Sequence, residues 1–430
     1  MIIVLRKLCL GLLFLVCNGC FAEDRFKSTL HQLIEVYPTV VAARSQLQSA
    51  NAELDSANWN FYPTPSLAFE RSDKKVIGVL NQDTLFLRLQ QPLWTGGRLS
   101  AQVKRAEALQ KQASSALEEQ RLATAFRWLQ LWAEYQGATR KITAYKDAEE
   151  KHLEYVQRIE RRTQEGFSAS SDLELSQGRL ASVRSELRQY MSSQMQARNR
   201  LEQMLGSPLT DARLLQSEAG QVAKTFPAFE LKILQQELNL EEVIDKHPLI
   251  QKFLMNTEVA QADVAMTKSR NVPEIYLRGE IRTGDLTGTD RILYVGVNSN
   301  FGPGLSTISA VTAALSKLDA ARNDVSAKRM EIKEVIQADL QTYNYQIERI
   351  DQLEKTFRSN NNYLQSSERQ FLAGRRSWQE VMNTAREDAQ IVVQIAEAQT
   401  QIWLAQQRLR ILKDGLDVYL SSAIAADTSR

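Results

Sequence analysis

The residues best placed to do chemistry in this 430-residue chain are charged side chains set two positions apart. In "IYLRGEIR", Tyr276, Arg278, Glu280 and Arg282 alternate with Ile275, Leu277, Gly279 and Ile281. In "TLFLRLQQPL", Arg88 and Gln90 alternate with Leu85, Leu87 and Leu89. Period two places the ionic groups on one face of a strand and the apolar groups on the other. Such a face can line a wet lumen behind a lipid-facing exterior. One more ionic pair, Arg376 and Glu380, has the i,i+4 spacing of neighbours on a helix surface. The histidines His31, His152 and His247 are far apart and form no metal-ligand spacing. "GPGLST" at 302–307 lacks the lysine of a phosphate-binding loop. No nucleophile–base pair is evident, so an enzyme is not expected, nor a cofactor or metal.

The elements that must position these groups are written twice. Gly96, Gly166 and Gly206 recur as Gly304, Gly374 and Gly415, at offsets of 208, 208 and 209. Pro38 with Pro248, Ala50 with Ala260, Pro63 with Pro273 and Glu70 with Glu280 all match at 210. The architecture is therefore a duplicated unit. Each copy reads as a helix of roughly 32 residues (about Ser28 to Trp59; about Leu240 to Arg270) and then two short alternating segments. A glycine turn then opens a helix of roughly 68 residues ending at Gly166 or Gly374, and a helix of roughly 37 residues closes the copy at Gly206 or Gly415. The two shorter helices together nearly equal the long one, so they can stack end to end along a rod of roughly 100 Å. Gly166 is expected to end its helix in a left-handed cap, and Ser168 to Asp172 to cap the next.

The resulting boundaries are 1–22, leader; 23–206, first repeat; 207–239, inter-repeat segment; 240–415, second repeat; 416–430, tail. The start, "MIIVLRKLCLGLLFLVCNGCFAEDRF", reads as a secretory signal cleaved after Ala22. Lipoprotein processing at Cys20 is the alternative. Cys9, Cys17 and Cys20 are the only cysteines, so cleavage after Ala22 leaves a chain without thiols. A net charge of +2 with 24% charged residues implies neither nucleic-acid binding nor disorder. No later segment is apolar for long enough to span a bilayer as a helix.

The alternating segments are nine to eleven residues long, enough to cross a bilayer when tilted. Four strands cannot close a barrel, since the smallest membrane barrels need about eight, and open edges are not tolerated in lipid. Either several chains pool their strands or this is an ordinary half-buried soluble sheet. The helices favour pooling. Leu99, Val103, Ala106, Leu109, Ala113 and Leu117 form a narrow stripe suited to helices side by side in a wall that is wet on both faces.

With its duplication, its "FYPTPSL" entry, "LQQPLWTGGRLSAQV" after the second strand, and the tips "RRTQEGFSASSDLELSQGRL" and "FLAGRRSWQEVMNTAREDA", the chain resembles the TolC family of outer-membrane efflux and secretion ducts. The resemblance implies a mainly α fold with a small β part. Two tandem repeats, each a long helical hairpin plus two transmembrane strands, would trimerise into a 12-stranded β-barrel continued by a periplasmic α-barrel. It implies the outer membrane of a Gram-negative bacterium, and passive conduction of cargo received from an inner-membrane ABC or proton-driven transporter through a periplasmic adaptor. Drug efflux and type I protein secretion both fit. It also implies a gate near the second tip, carried onto Arg376 and Glu380, with Phe371 and Asn383 where the family has a tyrosine and an aspartate. The adaptor-docking tips fall on Gly166, Phe167 and Ser168 and on Gly374 and Arg375, the arginine replacing a small or apolar residue. A soluble periplasmic coiled-coil adaptor or scaffold is the alternative; it should show one hairpin, not two each preceded by paired strands.

Overall fold

The computed structural model describes residues 26–72, 82–207, 239–284, 288–299 and 306–427. The leader with Cys20, most of the inter-repeat segment and the "GPGL" stretch with Gly304 lie outside them. In chain order the elements are α1 (26–36), α2 (Pro38–Trp59), β1 (Thr64–Ser72), β2 (Gln82–Trp94), α3 (Arg98–Gln164) and α4 (Ser170–Leu205). The second copy adds α5 (Leu240–Lys246), α6 (Pro248–Ser269), β3 (Glu274–Gly284), β4 (Gly288–Asn298), α7 (Thr307–Leu372) and α8 (Trp378–Asp414), and then α9 (Leu416–Asp427). The long helices hold 67 and 66 residues and their partners 36 and 37.

The first helix of each copy differs from expectation. The single helix predicted from Ser28 to Trp59 breaks at Tyr37, and its counterpart breaks at His247. Both interruptions precede a proline, Pro38 and Pro248. A proline disfavours helical backbone in the residue before it and suits the first turn of a new helix. In the second copy, His247 Nδ1 accepts the Leu249 N–H at 3.2 Å, capping α6.

The chain divides into two compact units. Residues 39–120 and 244–332 form one, holding the sheet, whose order is β1-β2-β3-β4 with every pair antiparallel. The central β2–β3 pair joins the first copy to the second. Ion pairs tie the helices of this unit together: Arg105 with Asp263 at 2.7 Å, Lys252 with Glu119 at 2.7 Å, and Arg329 with Asp245 at 2.7 Å. Gly96 turns the chain from β2 into α3 at φ 59°, and a Cβ there would come within 2.7 Å of Val272 Cβ. Only glycine allows both that backbone and that approach.

Residues 1–38, 121–243 and 333–430 form the other unit. Its core is broader than the stripe predicted from the start of α3. Between Leu122 and Ala138 most of α3 is buried, including Trp128, Trp132 and Tyr135. Phe26 of α1 lies 5.4 Å from the Trp132 ring and 6.0 Å from that of Trp403 on α8. α9, expected only as a tail, is tied to α3 by Arg121 and Asp417 at 2.6 Å. Nearer the hairpin ends, Ile142, Tyr145, Ala148, Val183, Leu187, Ala389 and Val393 form a second layer. Burying such aromatic and aliphatic groups is what offsets the entropy cost of ordering the helices.

Candidate functional site: an inverted sheet and two hairpin tips

The sheet carries its apolar residues outside. Register places Leu67 opposite Leu87, Leu87 opposite Ile281 and Phe69 opposite Leu85, on the same face as Leu293, Val295 and Val297. All of these are exposed, Leu67 to 71% and Leu293 to 73%. So large a bare apolar surface on a sheet marks a contact with lipid or another protein, not a face turned to water.

The opposite face gathers the charged residues. Arg88, Glu280, Gln90 and Arg278 stand in directly opposed pairs across β2 and β3. Glu280 is 6% exposed and accepts from Arg88 Nε at 2.8 Å and from Arg282 at 3.3 Å. Arg278 donates to Gln90 Oε1 at 2.6 Å and to the Tyr294 hydroxyl at 2.7 Å, and it lies 4.9 Å over the Tyr276 ring. Arg88 and Arg282 both lie against the Phe86 ring, at 5.2 and 5.0 Å. The five charged and aromatic residues selected from the sequence thus share one face. Gln90, read on this face from the sequence, joins them; Phe86 and Tyr294 complete it and were not selected, though their alternation with Leu85 and Leu293 carried the same signal.

Both tips use one turn. Phe167 N–H reaches back to the Arg162 carbonyl at 2.7 Å and Gly166 N–H to Thr163 at 3.1 Å, while Arg375 N–H reaches Gln370 at 2.9 Å and Gly374 N–H reaches Phe371 at 2.9 Å. Gly166 and Gly374 take φ 79° and 69°. This is the Schellman closure, with glycine at the left-handed position. The helix starts beyond the two turns differ. Helix α8 is capped by Ser377 Oγ, which accepts the Glu380 N–H at 3.4 Å. Helix α4 starts from Ala169, which offers no side-chain cap, so the expected capping by Ser168 to Asp172 is corrected. Ser168 instead accepts from Arg162 Nε at 3.3 Å.

Of the four residues carried over as a gate, Arg376 and Glu380 pair with each other, while Phe371 and Asn383 take other partners. Arg376 pairs with Glu380 at 3.2 Å, donates to Ser367 Oγ at 2.8 Å and stacks 4.8 Å over Tyr363. Phe371 is buried against Trp378 at 4.7 Å, and Asn383 accepts from Arg179 at 3.1 Å. Tyr363 and Ser367, missed in the sequence, are the groups that hold Arg376; their i,i+4 spacing on the last turns of α7 was the available clue. Phe167 is 71% exposed, and Arg375 is exposed with no ion pair among the described residues.

Residues 29–207 match the model of the outer membrane efflux protein family. That segment is similar to the family over about two fifths of the chain. The chain also shares its fold with solved outer-membrane channels. It matches CusC with a TM-score of 0.78 at 15% identity, over 90% of this chain and 91% of that one. It matches VceC of Vibrio cholerae with 0.76 at 14% identity, over 93% and 95%. It matches the open-state MtrE of Neisseria gonorrhoeae with 0.74 at 14% identity, over 91% and 90%. No curated protein matches it by sequence. No helix among the described residues is long and apolar enough to cross a membrane.

Proposed function

We propose that this chain is one subunit of a homotrimeric channel-tunnel that passively conducts cargo from an inner-membrane transporter across the periplasm and outer membrane. The observation that carries the reading is the inverted sheet. Its apolar face is bare, its charged face is folded on itself, and β1 and β4 each have only one strand neighbour among the described residues. Lipid tolerates neither an open edge nor an unpaired backbone group, so neighbouring copies are required to close the ring. No phosphate loop accompanies the strands, so energy comes from a partner: an ABC or proton-driven transporter coupled through a periplasmic adaptor. The exposed Phe167 and Arg375, on identical turns beside Gly166, Ser168 and Gly374, support docking of that adaptor at the tips. Arg376 and Glu380, together with Tyr363 and Ser367, are proposed as the gate cluster. Drug efflux and type I secretion are both compatible with these features.

A soluble adaptor would not leave nine large apolar side chains bare on one sheet face. The test is reconstitution of the purified protein. It should require detergent, migrate as a heat-modifiable oligomer and give single-channel steps in planar bilayers. A monodisperse, detergent-free monomer without conductance would end this reading.

A further inference from the structure

One arginine of the sheet stands on the wrong face. Strand β4 places Arg291 directly opposite Ile281, in the row between Leu293 and Thr289, and so among the apolar side chains. Among the described residues of that face it is the only charged one between the terminal Arg71–Asp83 pair and the helix end of the strands. It is exposed and has no ion pair or hydrogen-bond partner among the described residues. The arginines of the charged face are satisfied within the subunit, Arg88 and Arg282 by Glu280 and Arg278 by Gln90. Arg291 needs a counter-charge from elsewhere.

Beside Arg291 the apolar face is hollow. Gly279 on β3, opposed to Leu89 and Leu293, leaves a cleft of about 540 Å³ walled by Pro65, Leu89, Ile281 and Leu293 and bordered by Arg291. The chain itself does not demand glycine there. Gly279 is not among the glycines with positive φ, and a Cβ on it would meet only Leu293 Cδ1, at an ordinary 3.9 Å. Glycine inside a strand often marks the close approach of a ligand. Strand β3 has neighbours from its own chain on both sides, so the cleft is complete in one subunit.

We propose that Arg291 and the Gly279 cleft bind one anionic membrane lipid, its headgroup phosphate on the guanidinium and an acyl chain in the cleft. The proposal rests on the membrane-duct reading, in which the strand ends remote from the helices face outward. From Val297 to Arg291 is roughly 20 Å of strand. With strands tilted about 40° through an apolar band about 25 Å tall, the Arg291 backbone falls within about 10 Å of the outer headgroups. A snorkelling arginine closes much of that gap. Left without a counter-charge among acyl chains, the same arginine would destabilise the barrel. A phosphate supplies that charge and matches the planar fork of the guanidinium, and the apolar cleft beside it suits the attached chain.

Native mass spectrometry of the purified oligomer, released from detergent, tests it. The probes are phosphatidylglycerol, chain-matched phosphatidylcholine, and glycerophosphoglycerol, which is the first headgroup without its chains. The parent should retain phosphatidylglycerol, about one per subunit, severalfold better than phosphatidylcholine, and should not retain glycerophosphoglycerol. Arg291→Gln should weaken phosphatidylglycerol about tenfold, the scale of one charge-assisted bond, and Arg291→Lys should recover part of it. Gly279→Val fills the cleft and should weaken both lipids severalfold. Equal retention of the two lipids by the parent, or unchanged retention in Arg291→Gln, overturns the site. Glycerophosphoglycerol bound as well as the whole lipid overturns the acyl cleft, and it decides that point should Gly279→Val fail to fold. Oligomers that fall apart in Arg291→Gln, with lipid retention unaltered in those that remain, give the arginine to a neighbouring copy and overturn the lipid. Conductance is read on the same preparation. A conducting oligomer that holds both lipids alike loses this site alone, whereas a detergent-free monomer ends the duct reading and the site with it.

Discussion

Gly296 of β4 lies beneath the ring of Tyr276 on β3, its directly opposed partner. A Cβ on Gly296 would come within 2.3 Å of the phenol's Cζ. The aromatic ring covers the gap that the missing side chain leaves, and it supports Arg278 from below at 4.9 Å. Gly296→Ala should push the ring aside and cost about 1–3 kcal/mol through overpacking. The temperature at which the oligomer band dissociates should fall; a wild-type midpoint would show that the ring tolerates a methyl group beneath it.

Glu280 holds two arginines at once. Glu280→Gln removes the carboxylate that Arg88 and Arg282 share and leaves both cations facing the proposed lumen. Charged rings set ion preference in pores. The reversal potential across a salt gradient should shift toward anions, whereas Leu67→Ile on the opposite face should leave it unchanged.

The Arg376–Glu380 pair is an i,i+4 surface contact within one hairpin. Exposed pairs contribute about 0.2–1 kcal/mol, and Arg376→Ala also removes the donor to buried Ser367, so stability should fall by about 1–2 kcal/mol. If the arginine narrows the conducting path, single-channel conductance should nevertheless rise. Unchanged conductance would remove Arg376 from the gate.

The unequal caps give a prediction of opposite signs. Ala169 sits in extended backbone at φ −73° and ψ 151°, the N-cap conformation, but lacks an oxygen to accept from the first turn of α4. Ala169→Ser should stabilise the first hairpin by about 1 kcal/mol, and Ser377→Ala should weaken the second by a similar amount. Hydrogen-exchange protection of the first turns of α4 and α8 would report each effect separately.

His152 is buried on α3, with Nδ1 bonded to the Ala148 carbonyl at 2.8 Å and no partner for Nε2 among the described residues. Burial pushes its pKa below the ordinary 6.5, helped by the positive charges of Arg179 and Lys151. The unfolded chain therefore binds a proton just below pH 6.5 that the folded chain refuses, so stability is lost as pH falls through that window. Burial raises Asp388 above 3.8, which acts in the opposite direction at lower pH. His247, also lowered by burial, adds a loss parallel to that of His152. His152→Leu should flatten the acid-side fall in melting temperature by the His152 share alone; an identical slope would show that the site is silent.

The repeat and the helix lengths could be read directly because glycines and prolines punctuate backbone, and their offsets survive drift in the side chains. The strand faces could be read for a similar reason: period two in Arg278, Glu280 and Arg282 leaves one choice of face. The breaks at Tyr37 and His247 could have been anticipated from Pro38 and Pro248, but an uninterrupted apolar pattern on either side concealed them. The aromatic belt of "FRWLQLWAEY" escaped because a stripe extrapolated from Leu99 to Leu117 stops short of it. The partners of Arg376 could not be obtained by matching positions. The turn after Gly374 folds the guanidinium back onto α7, and that direction depends on backbone torsion, which residue spacing does not encode.

Strands β2 and β3 come from different copies, so the seam inside the chain is already a junction of one repeat with another. In the proposed ring the two copies would supply alternate columns, and a docking partner would meet exposed Phe167 and Arg375, on matching turns, alternately around the mouth.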